Sequence, residues 1–130
     1  MKYAFALLLL ATPALAENPM TGAEFEAYAK GRTLTFSSQS GPYGVERYLP
    51  GRRVIWSFLD DECQEGAWYE EEIAGDPAIC FLYDFDPEPK CWAMYLDGER
   101  LRAEYLNQPG TSILYEALEG EEALICGFGV

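Results

Sequence analysis

Residues 80–92, CFLYDFDPEPKCW, place Cys80 and Cys91 on either side of an acidic turn that contains two prolines. The turn is flanked by the runs AICFLY and CWAMYL, in which large apolar residues recur at every second position. Such alternation is typical of strands with one buried face, so the stretch predicts two neighbouring antiparallel strands. Whether the two cysteines form a disulfide, a metal site or a reactive pair depends on the rest of the chain.

The same alternation recurs from Thr33 onwards in the runs TLTF, VIWSF, LRAEYL and SILYEAL. Aromatic and β-branched residues are frequent in these runs, and turns rich in glycine and proline separate them at short intervals. We therefore predict an all-β fold, a small antiparallel meander that closes into a barrel-like structure, either lipocalin-like or a small barrel. The motif LPGR predicts a turn with Gly51 at positive φ, and LDGER predicts a hairpin with Asp97-Gly98 at its tip.

One short helix is expected before the strands, at about residues 20–30. The motif TGAE is a capping box, in which Thr21 is the N-cap and Glu24 follows three residues later. Phe25 begins the apolar face of this helix, and Gly31 lies where a left-handed backbone is expected to end it. The helix is short and has one apolar side, so we expect it to pack against the strands.

The first 16 residues have the pattern of a cleaved signal peptide. Lys2 provides a positive charge, a short apolar run follows, and small residues precede the predicted cleavage site after Ala16. The apolar run is shorter than the roughly 20 residues that span a bilayer. We therefore expect residues 1–16 to be removed and residues 17–130 to form a single β-rich domain, in the periplasm of a Gram-negative bacterium or secreted from it.

The four cysteines, Cys63, Cys80, Cys91 and Cys126, are expected to form two disulfides. An even number of cysteines in a small exported domain is typical of a disulfide framework. Structural zinc and a redox dithiol are disfavoured, because no C-x-x-C pair is present and the chain has no histidine. The sequence indicates no metal and no cofactor.

The charge of the chain disfavours two classes of partner. Removal of the signal peptide changes the formal net charge from −13 to −14, because Lys2 is lost and all 22 acidic residues stay. A surface of this sign repels phosphate backbones and anionic lipid head groups. We therefore expect no nucleic-acid partner and no membrane insertion, and a monomer whose partner is an unknown protein or a small molecule.

Two acidic stretches have features of catalytic or metal-binding segments. Asp84, Asp86 and Glu88 alternate as calcium ligands do, yet the glycine and the terminal glutamate of an EF-hand loop are missing. Residues 60–65 and 70–72 contain paired carboxylates, but glycosidase-type catalysis needs one buried carboxyl group with a raised pKa, and these runs are polar. With no histidine and no G-x-S-x-G motif, we predict no catalytic residue and no enzyme activity.

Candidate ligand contacts fall into an arginine group and an aromatic group. The arginines can bind an anionic ligand or pair with neighbouring carboxylates. The aromatics, together with Trp68 and Tyr83, can line a cavity or fill the interior. The candidates are Arg47, Arg52, Arg53, Trp56, Trp92 and Tyr95.

Five segments resemble a family of small exported alphaproteobacterial proteins that share a domain of unknown function: MTGAEFEAYAKGRTLTF, YGVERYLPGRRVIWSF, CQEGAWYEEE, ICFLYD and CWAMYLDGERLRA. The recurring core of that family is similar to a Gly-x-Trp strand, an Ile-Cys-Phe strand and a Cys-Trp strand, which begin here at Gly66, Ile79 and Cys91. The resemblance covers most of residues 17–130. It implies a secreted β-rich domain and brings no activity with it.

The resemblance also implies a disulfide pairing. Simpler members of the family keep only the cysteines that align with Cys80 and Cys91, which implies a Cys80–Cys91 bond and leaves Cys63–Cys126 as the second. A tight turn would set Cys80 and Cys91 out of register, so this pairing requires a wide loop. Two other arrangements stay open: Cys63–Cys91 with Cys80–Cys126, and Cys63–Cys80 with Cys91–Cys126.

These observations favour an exported, non-enzymatic β-barrel domain that acts as a binding or interaction module for an unknown ligand. One alternative is a periplasmic hydrolase that uses paired carboxylates. Another is an inhibitor-like or envelope-protecting protein whose function resides in its surface. The absence of histidine disfavours the hydrolase.

Mass spectrometry of the product exported from a Gram-negative host tests the processing prediction. We expect residues 17–130, lighter than the reduced chain by four hydrogens, because cleavage after Ala16 and two disulfides accompany export. The same residues produced in a reducing cytoplasm provide the reduced mass as a control. A retained leader or four free thiols in the exported product contradicts the prediction.

Overall fold

The structure, a computed structural model, describes residues 17–118 and 124–126, in which eight antiparallel strands form a closed barrel with one short helix. This confirms the predicted all-β barrel with an N-terminal helix. The predicted signal peptide, residues 1–16, lies outside the described residues. The elements are α1 Gly22–Ala29, β1 Thr33–Ser38, β2 Gly41–Leu49, a 3-10 turn Pro50–Arg52, β3 Arg53–Ser57, β4 Gln64–Ile73, β5 Asp76–Tyr83, β6 Lys90–Asp97, β7 Arg100–Tyr105 and β8 Ile113–Glu116.

The strands pair in chain order, and β1 pairs with β8 to close the barrel. Closure involves two residue pairs, Phe36 with Glu116 and Ser37 with Tyr115. A barrel of eight strands is just wide enough for side chains to fill its interior or to surround one small ligand. The runs of alternating apolar residues predicted six of these strands and did not indicate β2 or β4.

Alternating large side chains form the core of the barrel. Trp56 of β3, Phe81 of β5 and Met94 of β6 belong to one buried cluster. Phe58 and Leu96, the last members of two predicted apolar runs, lie outside this cluster, each with 48% of its surface exposed. The apolar faces of these strands therefore meet inside the barrel, and the alternation ends where the strands end.

Antiparallel neighbours place alternate loops at the same end of a barrel. The β1–β2, β3–β4, β5–β6 and β7–β8 connections surround one end, which we name the open end. The β2–β3, β4–β5 and β6–β7 turns surround the other end, which we name the closed end because helix α1 packs there. The open-end connections are residues 39–40, 58–63, 84–89 and 106–112.

Helix α1 fills the closed end with Phe25. The predicted capping box is present: the Thr21 hydroxyl accepts a hydrogen bond from the Glu24 N–H at 3.2 Å, and the Glu24 carboxylate accepts one from the Thr21 N–H at 3.0 Å. The cap fixes where the helix begins, and the side chain of Phe25 is fully buried. Its ring packs edge-on, an arrangement that aromatic pairs favour. Its neighbours are Tyr48, Trp68 and Phe81, at centroid distances of 5.5, 5.1 and 6.4 Å.

Both disulfides of the pairing that the resemblance implied are present, Cys80–Cys91 and Cys63–Cys126. Cys80 and Cys91 are direct cross-strand partners on the outward face of β5 and β6, where Tyr69, Ile73 and Leu106 pack over them, and a wide loop joins the two strands. The β5–β6 ladder has three residue pairs, so the covalent bond supports a short ladder. Cys63–Cys126 attaches residues 124–126 to the chain just before β4.

Two turns were predicted from glycine positions. Gly51 has a φ of 74°, as predicted for the LPGR motif. In the β6–β7 hairpin Asp97 pairs with Arg100, so the tip consists of Gly98 and Glu99 and not of Asp97-Gly98 as predicted. The positive φ of 66° that this tip requires is still supplied by Gly98.

Replacing both cysteines of the β5–β6 disulfide, C80A/C91A, is expected to lower the free energy of unfolding by about 3 kcal/mol, because the unfolded chain loses a covalent ring of about 12 residues. Urea unfolding followed by tryptophan fluorescence measures this change. The matched comparison, C63A/C126A, opens a ring of about 64 residues and is expected to cost about 4 kcal/mol. An unfolding free energy of C80A/C91A equal to that of the unaltered protein contradicts the expectation.

Candidate functional site

The open half of the barrel contains a cavity of about 330 Å³, and every strand contributes to its wall. Most of the lining is aromatic. The rings of Tyr43 and Trp56 lie 5.8 Å apart between centroids on one side, and those of Trp92 and Tyr105 lie 4.8 Å apart. These aromatic side chains of the wall therefore pack against one another in pairs.

Two glycines make room for the rings in the wall. A Cβ atom on Gly44 would lie 2.2 Å from the ring of Trp56, and a Cβ atom on Gly66 would lie 2.9 Å from the ring of Tyr83. Because both glycines lack a side chain, Trp56 and Tyr83 can lie directly against the backbone of the neighbouring strand. The close contact with Tyr83 therefore explains why the first position of the Gly-x-Trp strand is a glycine.

One carboxyl group, that of Glu46, lies among these rings. Glu46 is 2% exposed and is the cross-strand partner of Trp56. The hydroxyl of Tyr83 lies 3.0 and 3.1 Å from the two carboxyl oxygens of Glu46 and donates a hydrogen bond to them. Tyr83 is the only side chain among residues 17–118 and 124–126 that donates to Glu46, so a single hydroxyl proton serves both oxygens.

Burial dominates the electrostatics of this carboxyl group. Loss of solvent raises the pKa of Glu46 from its ordinary value of 4.5 to about 8, and the hydrogen bond from Tyr83 offsets only part of that rise. Burial also raises the pKa of the Tyr83 phenol, and the nearby Glu46 raises it further. At neutral pH the free cavity therefore contains a neutral carboxylic acid.

Asp86 and Lys90 form an ion pair at the mouth of the cavity. Lys90 Nζ donates to Asp86 Oδ2 at 2.7 Å, and the Glu88 N–H donates to Asp86 Oδ1 at 3.0 Å. The hydrogen bond from Lys90 lowers the pKa of Asp86, and the same bond raises the pKa of Lys90. Both groups are therefore charged at neutral pH, and each neutralises the charge of the other.

The structure places two of the predicted aromatic contacts, Trp56 and Trp92, in the cavity wall. Tyr83, from the wider aromatic set, also lines it, whereas Trp68 packs against Phe25 at the closed end. Tyr95 lies on the outer surface, where the guanidinium of Arg102 covers its ring at 4.3 Å from the centroid.

The three predicted arginine contacts do not converge on the cavity. Arg53 pairs with Asp84 at 3.6 Å on the surface. Arg52 lies over the ring of Trp68, 4.4 Å from its centroid, and lines a second cavity of about 70 Å³ between the helix and the β2–β3 turn. Arg47 is half-buried on the outer face of β2, because its neighbour Glu46 points inwards. The structure therefore offers no anion site built from these three side chains.

The acidic stretches lie at the surface. Glu70, Glu71 and Glu72 are exposed on β4, and residues 60–62 are exposed in the β3–β4 connection. In the part of the chain that the structure describes, no three acidic or cysteine side chains come together as a metal site would require. Asp86, from the calcium-like stretch, is engaged by Lys90.

A second buried carboxyl group, that of Glu116, connects the helix to the barrel. Its Oε1 accepts hydrogen bonds from the Tyr28 hydroxyl and from the Leu101 N–H, the latter at 3.1 Å, and its Oε2 pairs with Arg32 at 3.4 Å. Glu116 does not line the cavity. Its role is therefore to join α1 to β7 and β8, and the two buried carboxyl groups do not share one site.

Glu46 is the residue that the sequence patterns missed. In the segment VERYL, Glu46 and Tyr48 are two positions apart and so face the same side of the strand. Tyr48 is buried in the core, so the position of Glu46 relative to it is the sequence feature that indicates an inward-facing glutamate. The sequence patterns indicate carboxylates that occur in acidic clusters, and a single carboxylate within an apolar strand does not belong to such a pattern. Its partner Tyr83 lies 37 residues away in the chain.

The substitution Glu46→Gln is expected to remove a pH dependence of stability. Between pH 4.5 and 8 the folded protein keeps a proton on Glu46 that the unfolded chain releases, so the free energy of unfolding falls as the pH rises through this window. Because one pKa unit corresponds to about 1.4 kcal/mol, this loss is expected to be about 3–5 kcal/mol. The variant should therefore be more stable than the parent at pH 8.5, with the difference disappearing towards pH 4.5.

Urea unfolding of parent and variant at several pH values measures this difference. Glu65→Gln, which removes an exposed carboxylate from the outer face of β4, is the matched control and should follow the parent. Parallel stability curves for the parent and Glu46→Gln would show that the cavity does not hold a protonated Glu46.

No protein-family model, curated protein or solved structure matches this chain. The resemblance to small exported alphaproteobacterial proteins therefore stays a prediction, and the functional interpretation depends on the cavity.

Proposed function

We propose that the protein is an exported, non-enzymatic binding module that holds a small, largely apolar molecule inside the barrel. The observation that carries this proposal is the aromatic cavity of about 330 Å³ at the open end. Ligand sites are typically apolar clefts of about 300–1,000 Å³ with a few polar groups that orient the ligand. The cavity has this composition, and its size suits a ligand with one or two rings.

The entrance of the cavity supports binding from solvent. Tyr43 and Phe58 are 36% and 48% exposed, and their rings pack edge-on at 5.6 Å. Exposed aromatic side chains next to a cavity provide an apolar path from the surface to the interior. Trp56, which contacts both rings, continues this path into the barrel.

Three observations are compatible with export and with a monomer. Two disulfides are typical of proteins that fold in an oxidising compartment. The helical structure in residues 17–118 and 124–126 is too short to cross a membrane. Closure of β1 onto β8 leaves none of the eight strands with a free edge for pairing with a second copy.

A hydrolase based on paired carboxylates is the alternative that one observation favours. Glu46 and Asp86 both line the cavity, and their pKa values are shifted in opposite directions, as in acid–base pairs. However, both oxygens of Asp86 already accept hydrogen bonds, from Lys90 and from the Glu88 N–H. Asp86 is therefore poorly placed to activate water, and we favour binding without catalysis.

Filling the cavity tests the proposal. Ala103 is buried in the cavity wall, so Ala103→Phe is expected to place a ring in the space that a ligand would occupy. The probe is prodan, a neutral naphthalene dye whose emission shifts to the blue in apolar surroundings. We expect prodan to bind the parent protein and to bind Ala103→Phe at least tenfold more weakly, measured by fluorescence titration.

The matched control is Ala67→Phe, which adds the same ring to the outer face of β4 and should leave the affinity within about twofold. Equal prodan affinity of Ala103→Phe and the parent contradicts the proposal. Should Ala103→Phe lack a cooperative unfolding transition, Ser112→Trp replaces it, because Ser112 is exposed at the mouth and a ring there obstructs entry without disturbing the core.

A further inference from the structure

We propose that the cavity selects an organic cation, namely an amine whose ammonium group pairs with the carboxylate of Glu46 while its apolar body packs against the surrounding rings. This inference rests on the proposed binding function and specifies the class of ligand. It follows from the hydrogen bonding of Glu46, from the rings next to it and from the charges around the mouth.

Glu46 has acceptor capacity that the protein leaves unused. A carboxylate can accept about four hydrogen bonds, whereas one tyrosine hydroxyl can donate one. Tyr83 is the sole donor to Glu46 within the described part of the chain, and Glu46 faces the cavity. An ammonium group brings up to three donors to this position. A buried charge pair of this kind compensates the desolvation of both partners, which neither an anion nor an alkane would do.

The rings around Glu46 also favour a cation. Aromatic faces attract ammonium groups within about 6 Å, and tryptophan attracts them most strongly. Trp56 is the cross-strand neighbour of Glu46, and Tyr83 contacts its carboxyl group directly. The same rings provide apolar surface for the rest of the ligand, so one wall serves both parts of an amphipathic amine.

The charges around the mouth have the sign that attracts cations. The β3–β4 and β5–β6 connections, residues 58–63 and 84–89, contain six carboxylates and no basic residue. Lys90 and Arg53 each pair with one of these carboxylates. The remaining field at the mouth is negative and raises the local concentration of cations while it repels anions. The carboxylates are Asp60, Asp61, Glu62, Asp84, Asp86 and Glu88.

Binding of an amine by this site is coupled to release of a proton. Glu46 is neutral in the free cavity at pH 7, and an ammonium group stabilises its ionised form, so the carboxyl proton passes to solvent as the ion pair forms. Among the other groups that line the cavity, the phenols of Tyr43, Tyr48 and Tyr83 have raised pKa values, Asp86 has a lowered pKa and Lys90 a raised one. Tyr105, Gln64 and Ser112 are the remaining polar side chains of the lining. Glu46 is therefore the group whose charge changes near neutral pH.

Calorimetric titration with three probes of one shape tests the selectivity. The probes are 3-phenylpropylamine, 3-phenylpropanol and 3-phenylpropionate, which are a cation, a neutral molecule and an anion at pH 8.5. We expect the amine to bind at least tenfold more tightly than the alcohol, and the carboxylate to show no binding. Glu46→Gln should reduce the preference for the amine over the alcohol at least tenfold, whereas Glu65→Gln should leave both affinities unchanged.

The pH dependence of amine binding gives a second readout on the unaltered protein. The binding-competent form has an ionised Glu46, so the amine affinity should rise about tenfold per pH unit from pH 6 to 7.5 and become constant above pH 8.5. Titrations at pH 6.5 in two buffers with different ionisation enthalpies should show release of about one proton per amine. Binding of the alcohol should release none.

The outcomes separate this inference from the function on which it rests. Equal affinity for amine and alcohol, an unchanged preference in Glu46→Gln, or amine binding without proton release overturns the selectivity for cations and leaves the binding function in place. Failure of all three probes and of prodan to bind overturns the binding function, and the inference with it.

Discussion

The packing of Phe25 against the rings at the closed end determines how the interior of this barrel is used. A helix of eight residues inserts one large ring, and Trp68 and Phe81 surround it from the strands. Towards the open end, the rings of Trp56 and Tyr83 lie against the backbone of Gly44 and Gly66 and so stay at the wall of the cavity. The closed half is therefore filled by the ring from the helix, whereas the rings of the open half line the wall and leave a cavity of about 330 Å³ between them.

Within that open half, Glu46 is the residue that lowers the free energy of unfolding. A carboxyl group that is 2% exposed lowers stability above its ordinary pKa, and glutamine would fit the same space without this cost. When a residue lowers the stability of the fold and does not help to pack the core, a functional role is the expected reason for its presence. Glu116 is the instructive contrast, because its oxygens accept bonds from Tyr28, Leu101 and Arg32 and so connect helix to barrel.

The sequence predicted the parts of the fold that follow from local pattern. The capping box at Thr21 and the strands with regular apolar alternation were predicted correctly, because period-two burial is visible in the residue types. The alternation did not indicate β2 or β4, since an inward glutamate and inward glycines interrupt it, and only the resemblance implied the strand that contains Gly66. Trp92 and Tyr95 were grouped as contacts, yet an odd spacing along a strand places them on opposite faces. The pairing of Glu46 with Tyr83 depends on the arrangement of distant strands and was beyond any local pattern.

The position of the Cys80–Cys91 bond explains how a small barrel tolerates an unfilled interior. An empty cavity removes packing contacts, and a domain of this size has few to spare. The disulfide lies in a small buried cluster on the outward face of the strands, while Phe81 and Trp92, the next residues along the two strands, line the cavity. The bond therefore holds two strands of the cavity wall together from outside, where it occupies none of the interior volume. In this way the wall keeps its shape without a filled core, and the space within it stays available to a ligand.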